Sequence, residues 1–165
     1  MTPLDFIFPS NINPPANPQY GNVALSYSNW GPFRLPETVK VDPLLNALNT
    51  IRTQSNLPPL QPNLRLNNSA LAKATDLVKQ GYWSHNTSQG ELPWEEIKKA
   101  QYLYKVAGEN LARGYKMDQK TIDAWLASPT HKANILSPKY SEIGIGRKKD
   151  KEGHEYVVTH FGKPK

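Results

Sequence analysis

The chain has 165 residues, 38% of them hydrophobic, no cysteine, a formal charge of +6 and a pI near 9.4. These figures suit one compact domain with an extension and exclude disulfide staples and thiolate chemistry. The charge favours anionic neighbours such as lipid headgroups or envelope polymers; no apolar run is long enough to span a membrane, and no nucleic-acid-binding motif accompanies the basic residues.

Residues 1–40 read as a distinct segment. Eight of the fifteen prolines lie within the first 43 residues, and Asn11 to Pro18 is incompatible with helix or central strand. Phe6, Phe8, Trp30 and Phe33 are too apolar for a solvated linker, so the segment is expected to be an extended arm that packs on its own domain or on a neighbour. Met1 to Asp5 has no basic segment leading into an apolar run, so no signal peptide is read there.

The domain is expected over residues 41–165. Asp42-Pro43 is a helix cap followed by proline at the first position, with Leu44, Leu45, Leu48 and Ile51 at helical spacing. Leu57 to Leu60 ends that helix. Asn68 or Ser69 is expected to open a second helix, with Leu71, Ala74, Leu77 and Val78 inward and Gly81 as its C-terminal cap. Pro93 to Ile97 starts a short helix. Asp118 is expected to cap another, carrying Ile122, Trp125 and Leu126. Ser128-Pro129 breaks it and opens a further turn.

Ile143 and Ile145 alternate as in a strand, which leaves Gly144 and Gly146 on the other face beneath a closely crossing element. Asp150 to Gly153 make a turn, and Tyr156 to Phe161 return as a second strand. The fold class is α+β, with helices flanking a small, mainly antiparallel sheet.

Three residues are candidates for chemistry. His85 lies just past a helix end. Glu109 sits among small and apolar residues, where a carboxylate needs partners. His131 falls in the first turn of a helix, which disfavours the imidazolium. Two histidines and a carboxylate form the ligand set of an open zinc site, although no local zinc motif is present. The alternative for each is a structural role.

Five stretches in order resemble the CAP superfamily, or SCP domains: Gly81-Tyr-Trp-Ser-His85, Gly108-Glu-Asn-Leu-Ala112, Ala124 to Leu136, Ile143-Gly-Ile-Gly146 and Tyr156 to Gly162. The resemblance spans about residues 41–162, and the form of Ala124 to Leu136 is that of the bacterial branch. It implies a three-layer α-β-α sandwich whose cleft is lined by His85, Glu109 and His131. It also implies an extracellular or cell-envelope location. The family's second acid falls on Ser128 here, so the cleft reads as a triad plus a serine unless Glu142 or Glu96 turns in.

The function expected from this resemblance is a binding module for lipid, envelope polymer or a protein partner, with zinc or another divalent cation on His85, Glu109 and His131 and no organic cofactor. The alternatives are a metal-assisted hydrolase of peptide or cell-wall material, with the same three residues as its catalytic set, and an assembly protein that uses its N-terminal arm. Whether the chain is an enzyme stays open at this level.

Overall fold

The computed structural model describes residues 42–165. The expected arm, with Phe6, Phe8, Trp30 and Phe33, lies outside the described residues. Among the described residues, five helices and four strands follow in the order α1 (Pro43–Gln54), β1 (Gln61–Pro62), α2 (Leu64–Gln80), α3 (Trp94–Lys99), β2 (Tyr104–Arg113), α4 (Asp118–Ala127), α5 (Pro129–Ile135), β3 (Glu142–Lys149) and β4 (Glu155–Pro164). The strand order is β1-β3-β4-β2. The short β1–β3 pair is parallel; β3–β4 and β4–β2 are antiparallel.

Alternation along the strands sorts the helices into two layers. Ile143, Val157 and Phe161 face Leu44, Leu45 and Leu48 of α1, Ile122 and Trp125 of α4, and Ile135 of α5. Leu111, Tyr156 and Val158 face Ala70, Ala74 and Leu77 of α2. The result is an α+β, three-layer α-β-α sandwich, with a side-chain layer on each face of the sheet. Trp125 donates its indole N–H to the Leu111 carbonyl at 2.9 Å, which satisfies the one polar atom of a buried side chain.

Local signals account for several boundaries. Asp42 accepts the Leu44 N–H, and Pro43 fills the position where a missing N–H costs nothing. Gly81 ends α2 in the left-handed region, at φ +68°. Gly144 and Gly146 run directly under α2: a Cβ on Gly144 would strike the Leu66 and Asn67 backbone, and one on Gly146 the Ala70 and Leu71 backbone. The expected close crossing is therefore that of α2 over β3.

Other expectations need correction. The second helix starts at Leu64, with Asn63 as its cap, rather than at Asn68 or Ser69. Its buried stripe is Leu66, Ser69, Ala70, Lys73, Ala74 and Leu77, while Leu71 is exposed. A reading that sorts by apolarity assigns Leu71 inward because the true stripe contains a serine and a lysine. Asp118 is the first residue of α4, and Met117 holds the cap position without a side-chain bond. Strand β2 was not expected: Ala107, Gly108 and Ala112 give it little β-branched character, and pairing along β4 sets it instead.

Candidate functional site

Glu109 is the hub. It lies on β2 opposite His160 of β4 and is 5% exposed. Both carboxylate oxygens are engaged: Oε1 lies 2.6 Å from His85 Nδ1 and Oε2 lies 2.9 Å from His160 Nε2. Burial alone would push this carboxyl up. The bonds from His160 and His85, with the Lys73 ammonium nearby, outweigh it and hold the group below the usual carboxylate range. An ionised carboxylate only accepts, so both histidines donate to it.

Behind Glu109 the chain of contacts continues inward. His160 is fully buried, and its Nδ1 lies 2.7 Å from Ser69 Oγ on α2. The Leu66 carbonyl is also within reach of that hydroxyl, at 2.9 Å. In front, the His85 side chain is 53% exposed. With Nδ1 committed to Glu109, its Nε2 is the nitrogen left for a ligand.

The loop that carries His85 is fixed from α2. Buried Lys73 donates to the Asn86 carbonyl at 2.7 Å and to the Tyr82 hydroxyl at 3.1 Å. Tyr82 in turn donates to Asp76 at 2.6 Å. Burial lowers the Lys73 pKa, and the charges of Glu109, Asp76 and Glu96 act against that fall. A buried ammonium needs such partners, so the same bonds that satisfy Lys73 hold residues 82–86 in place.

His131 is placed from the other side of β2. Asn110 donates to the His131 carbonyl at 3.1 Å, and Asn134 donates to the Glu109 carbonyl at 3.1 Å. Arg52 of α1 donates to the carbonyls of Ile135 and Ser137 at 2.7 and 2.9 Å, which anchors the end of α5. His131 Nδ1 lies 2.9 Å from Ser128 Oγ. Its pKa is lowered by burial and then by the proximity of His85. The direction agrees with the sequence expectation, but these two causes differ from the helix N-terminus invoked there.

The structure therefore joins His85 to Glu109 directly, and brings His131 within electrostatic reach of His85. Ser128 bonds His131 rather than Glu109. Glu142 accepts from Tyr102 at 2.6 Å, and Glu96 pairs with Lys99 at 3.5 Å; neither bonds to the histidines. Sequence reasoning missed His160, Ser69 and Lys73. Each lay open to detection as a polar residue on an otherwise apolar face: His160 in step with Tyr156 and Val158, and Ser69 and Lys73 between Leu66, Ala70, Ala74 and Leu77.

A second polar group lies at the β3–β4 turn. Asp150, Glu152 and His154 each offer a ligand atom, all within 4.8 Å of one another, a spacing suited to a cation. Among the described residues, His85, Glu109 and His131 do not form such a group: their ligand atoms do not all come within that distance of one another.

Comparison with known proteins places the fold. The sequence model of the cysteine-rich secretory protein family, CAP, matches residues 45–161. The chain is 37% identical over 103 residues to an uncharacterized protein of Bacillus subtilis (strain 168), YkwD, a match that covers 62% of this chain and 40% of that one. It thus spans less than half the length of that relative. An outer surface protein of Borrelia burgdorferi superposes with a TM-score of 0.69 at 28% identity, over 74% of this chain and 90% of that one. An extracellular SCP-domain protein of Bacillus anthracis shares the fold with a TM-score of 0.66 at 22% identity, over 73% and 39% of the two chains. Among the described residues, no helix is long and apolar enough to cross a membrane.

Proposed function

The chain belongs to the cysteine-rich secretory protein (CAP) family, and from that premise we propose that it is a binding module of the cell exterior or envelope. Its ligand would be met at His85, Glu109 and His131. The carrying observation is the burial of Glu109 with both of its oxygens engaged. A general base must lie within reach of the proton it takes, and here the carboxylate is 5% exposed, with each oxygen held by a histidine. This supports recognition over hydrolysis.

Two imidazole nitrogens at this site would serve as donors to a divalent cation of the zinc type. His85 is held through Nδ1 by Glu109 and His131 through Nδ1 by Ser128, the outer-shell bonding that orients metal-binding imidazoles. Their Nε2 atoms would hold the ion, and Glu109 would act through His85. A bound cation would supply a positive site for an oxygen donor of the ligand. The relatives described as outer surface and extracellular proteins support the location, and the basic charge supports an anionic lipid or envelope polymer as partner.

One observation favours the hydrolase reading: the 2.9 Å contact between Ser128 Oγ and His131 Nδ1, which sets a hydroxyl beside a base. The two readings part in one experiment. Native mass spectrometry of the full chain is expected to retain a divalent metal or a co-purified ligand. Turnover of casein or peptidoglycan fragments that disappears in both Glu109→Gln and Ser128→Ala would sink the binding reading.

A further inference from the structure

One end of the sheet gathers cations and exposed apolar side chains on adjacent loops. The loop after β2 and the β3–β4 turn are tied together by Gly114 N–H donating to the Glu155 carbonyl at 2.8 Å. Tyr115 and Lys116 share a hollow of about 500 Å³ with Lys149 and residues 152–155. Arg113, Lys116, Lys148, Lys149 and Lys151 are all exposed. Against these five cations stand Asp150 and Glu152. Asp150 is turned inward on its own loop, accepting from the N–H groups of Glu152 and His154 at 3.1 and 2.8 Å.

Large apolar groups project from the same end. Met117 is 59% exposed and Tyr115 also stands open. Trp83, 47% exposed, meets Tyr156 edge-on at 5.8 Å, and Arg113 covers the same Tyr156 ring at 5.0 Å. Salt bridges do not absorb the lysines: the neighbouring carboxylates Asp118 and Glu155 are spent on Arg147. Exposed Trp, Tyr and Met among lysines suit a boundary with charge outside and hydrocarbon beneath.

We propose that this end of the domain, the β3–β4 turn with the loop after β2, docks on an anionic phospholipid surface. Lysines meet the headgroup phosphates, while Tyr115, Met117 and Trp83 reach the acyl boundary. This gives a partner and an orientation to a binding module of the envelope, and rests on that reading only for the neighbourhood of a membrane. It does not use the bond between His85 and Glu109, so metal titration at the cleft and lipid binding at the turn fail separately.

The test is co-sedimentation of the full chain with vesicles of phosphatidylcholine alone and of equal parts phosphatidylcholine and phosphatidylglycerol, at low and high salt. The chain should bind the mixed vesicles at low salt, leave them at high salt, and ignore phosphatidylcholine. Reversing three charges in K148E/K149E/K151E should weaken partition by roughly tenfold or more. Lys116→Glu should act in the same direction, and Met117→Ser should weaken binding without changing its salt dependence. All these side chains are exposed, so the thermal unfolding temperature should not fall, and a serine at the α4 cap position should if anything raise it. Equal partition of the triple variant and the parent would overturn the proposal. So would parent protein that is retained by soluble polyphosphate but by neither vesicle.

Discussion

Glu109 and His160 are cross-strand partners on β2 and β4, joined at 2.9 Å and shut away from solvent, so the exposed half of the site rests on a buried pair. Removing His160 leaves Glu109 Oε2 without its partner in the interior. His160→Leu is expected to destabilise the fold by about 3 kcal/mol or more. His160→Gln, which still offers an N–H to Glu109, should recover part of the loss. Urea unfolding of the two variants decides this; equal stability for both would mean that His160 contributes only volume.

Glycines 144 and 146 allow α2 to lie on β3. A methyl at either would meet helix backbone rather than a side chain that can swing away. Gly144→Val and Gly146→Val are each expected to cost about 3 kcal/mol or more, beyond the usual overpacking range of about 1–3 kcal/mol. Melting temperatures within a degree or so of the parent would show that the helix can lift without cost.

Zinc titration calorimetry tests the cleft. The parent is expected to bind weakly, since this site offers only the free nitrogens of His85 and His131. The double variant His85→Ala/His131→Ala should not bind, with the fold intact because neither ring belongs to the apolar core. Binding requires neutral imidazole, so it should fade in acid. The depressed pKa of His131 keeps its ring neutral to lower pH than an ordinary histidine. Undiminished zinc binding by the double variant would place the ion elsewhere, with Asp150, Glu152 and His154 as the next place to look.

Asp42 couples the first helix to the sheet. It caps α1 and also accepts from Arg147 on β3 at 2.7 and 2.9 Å. Burial would raise its pKa, but the bonds from Arg147 and the Leu44 N–H prevail and lower it. A carboxyl with a depressed folded pKa stabilises the fold above its unfolded value, near 4. That contribution is lost as pH falls through the lower folded value. Asp42→Asn should therefore be less stable than the parent at pH 7 by about 1 kcal/mol or more, with the gap closing in acid. A gap that stays constant down to pH 2 or so would rule out this linkage.

Much of this architecture was legible in the chain. Asp42-Pro43, Gly81, and the alternation of Ile143 and Ile145 are local instructions, because a cap, a left-handed residue and a two-residue period act over a few positions. The spaced stretches around His85, Glu109 and His131 carried the family, and with it the three-layer sandwich. The glycines of β3 announced a close crossing, although not which helix would cross.

What the chain alone left undecided depends on groups brought together across the fold. Ser69 and Lys73 look like defects in a helix face until His160 and the Asn86 carbonyl supply their partners. Glu109 looks like a free acid until two histidines, 24 residues before it and 51 after it, occupy its oxygens. A buried polar group is stable only with a partner, and sequence spacing does not report partners that meet across strands and layers. Local sequence therefore determined the family and most of the elements, and the packing of β2 against β4 beneath α2 decided that Glu109 is held rather than free.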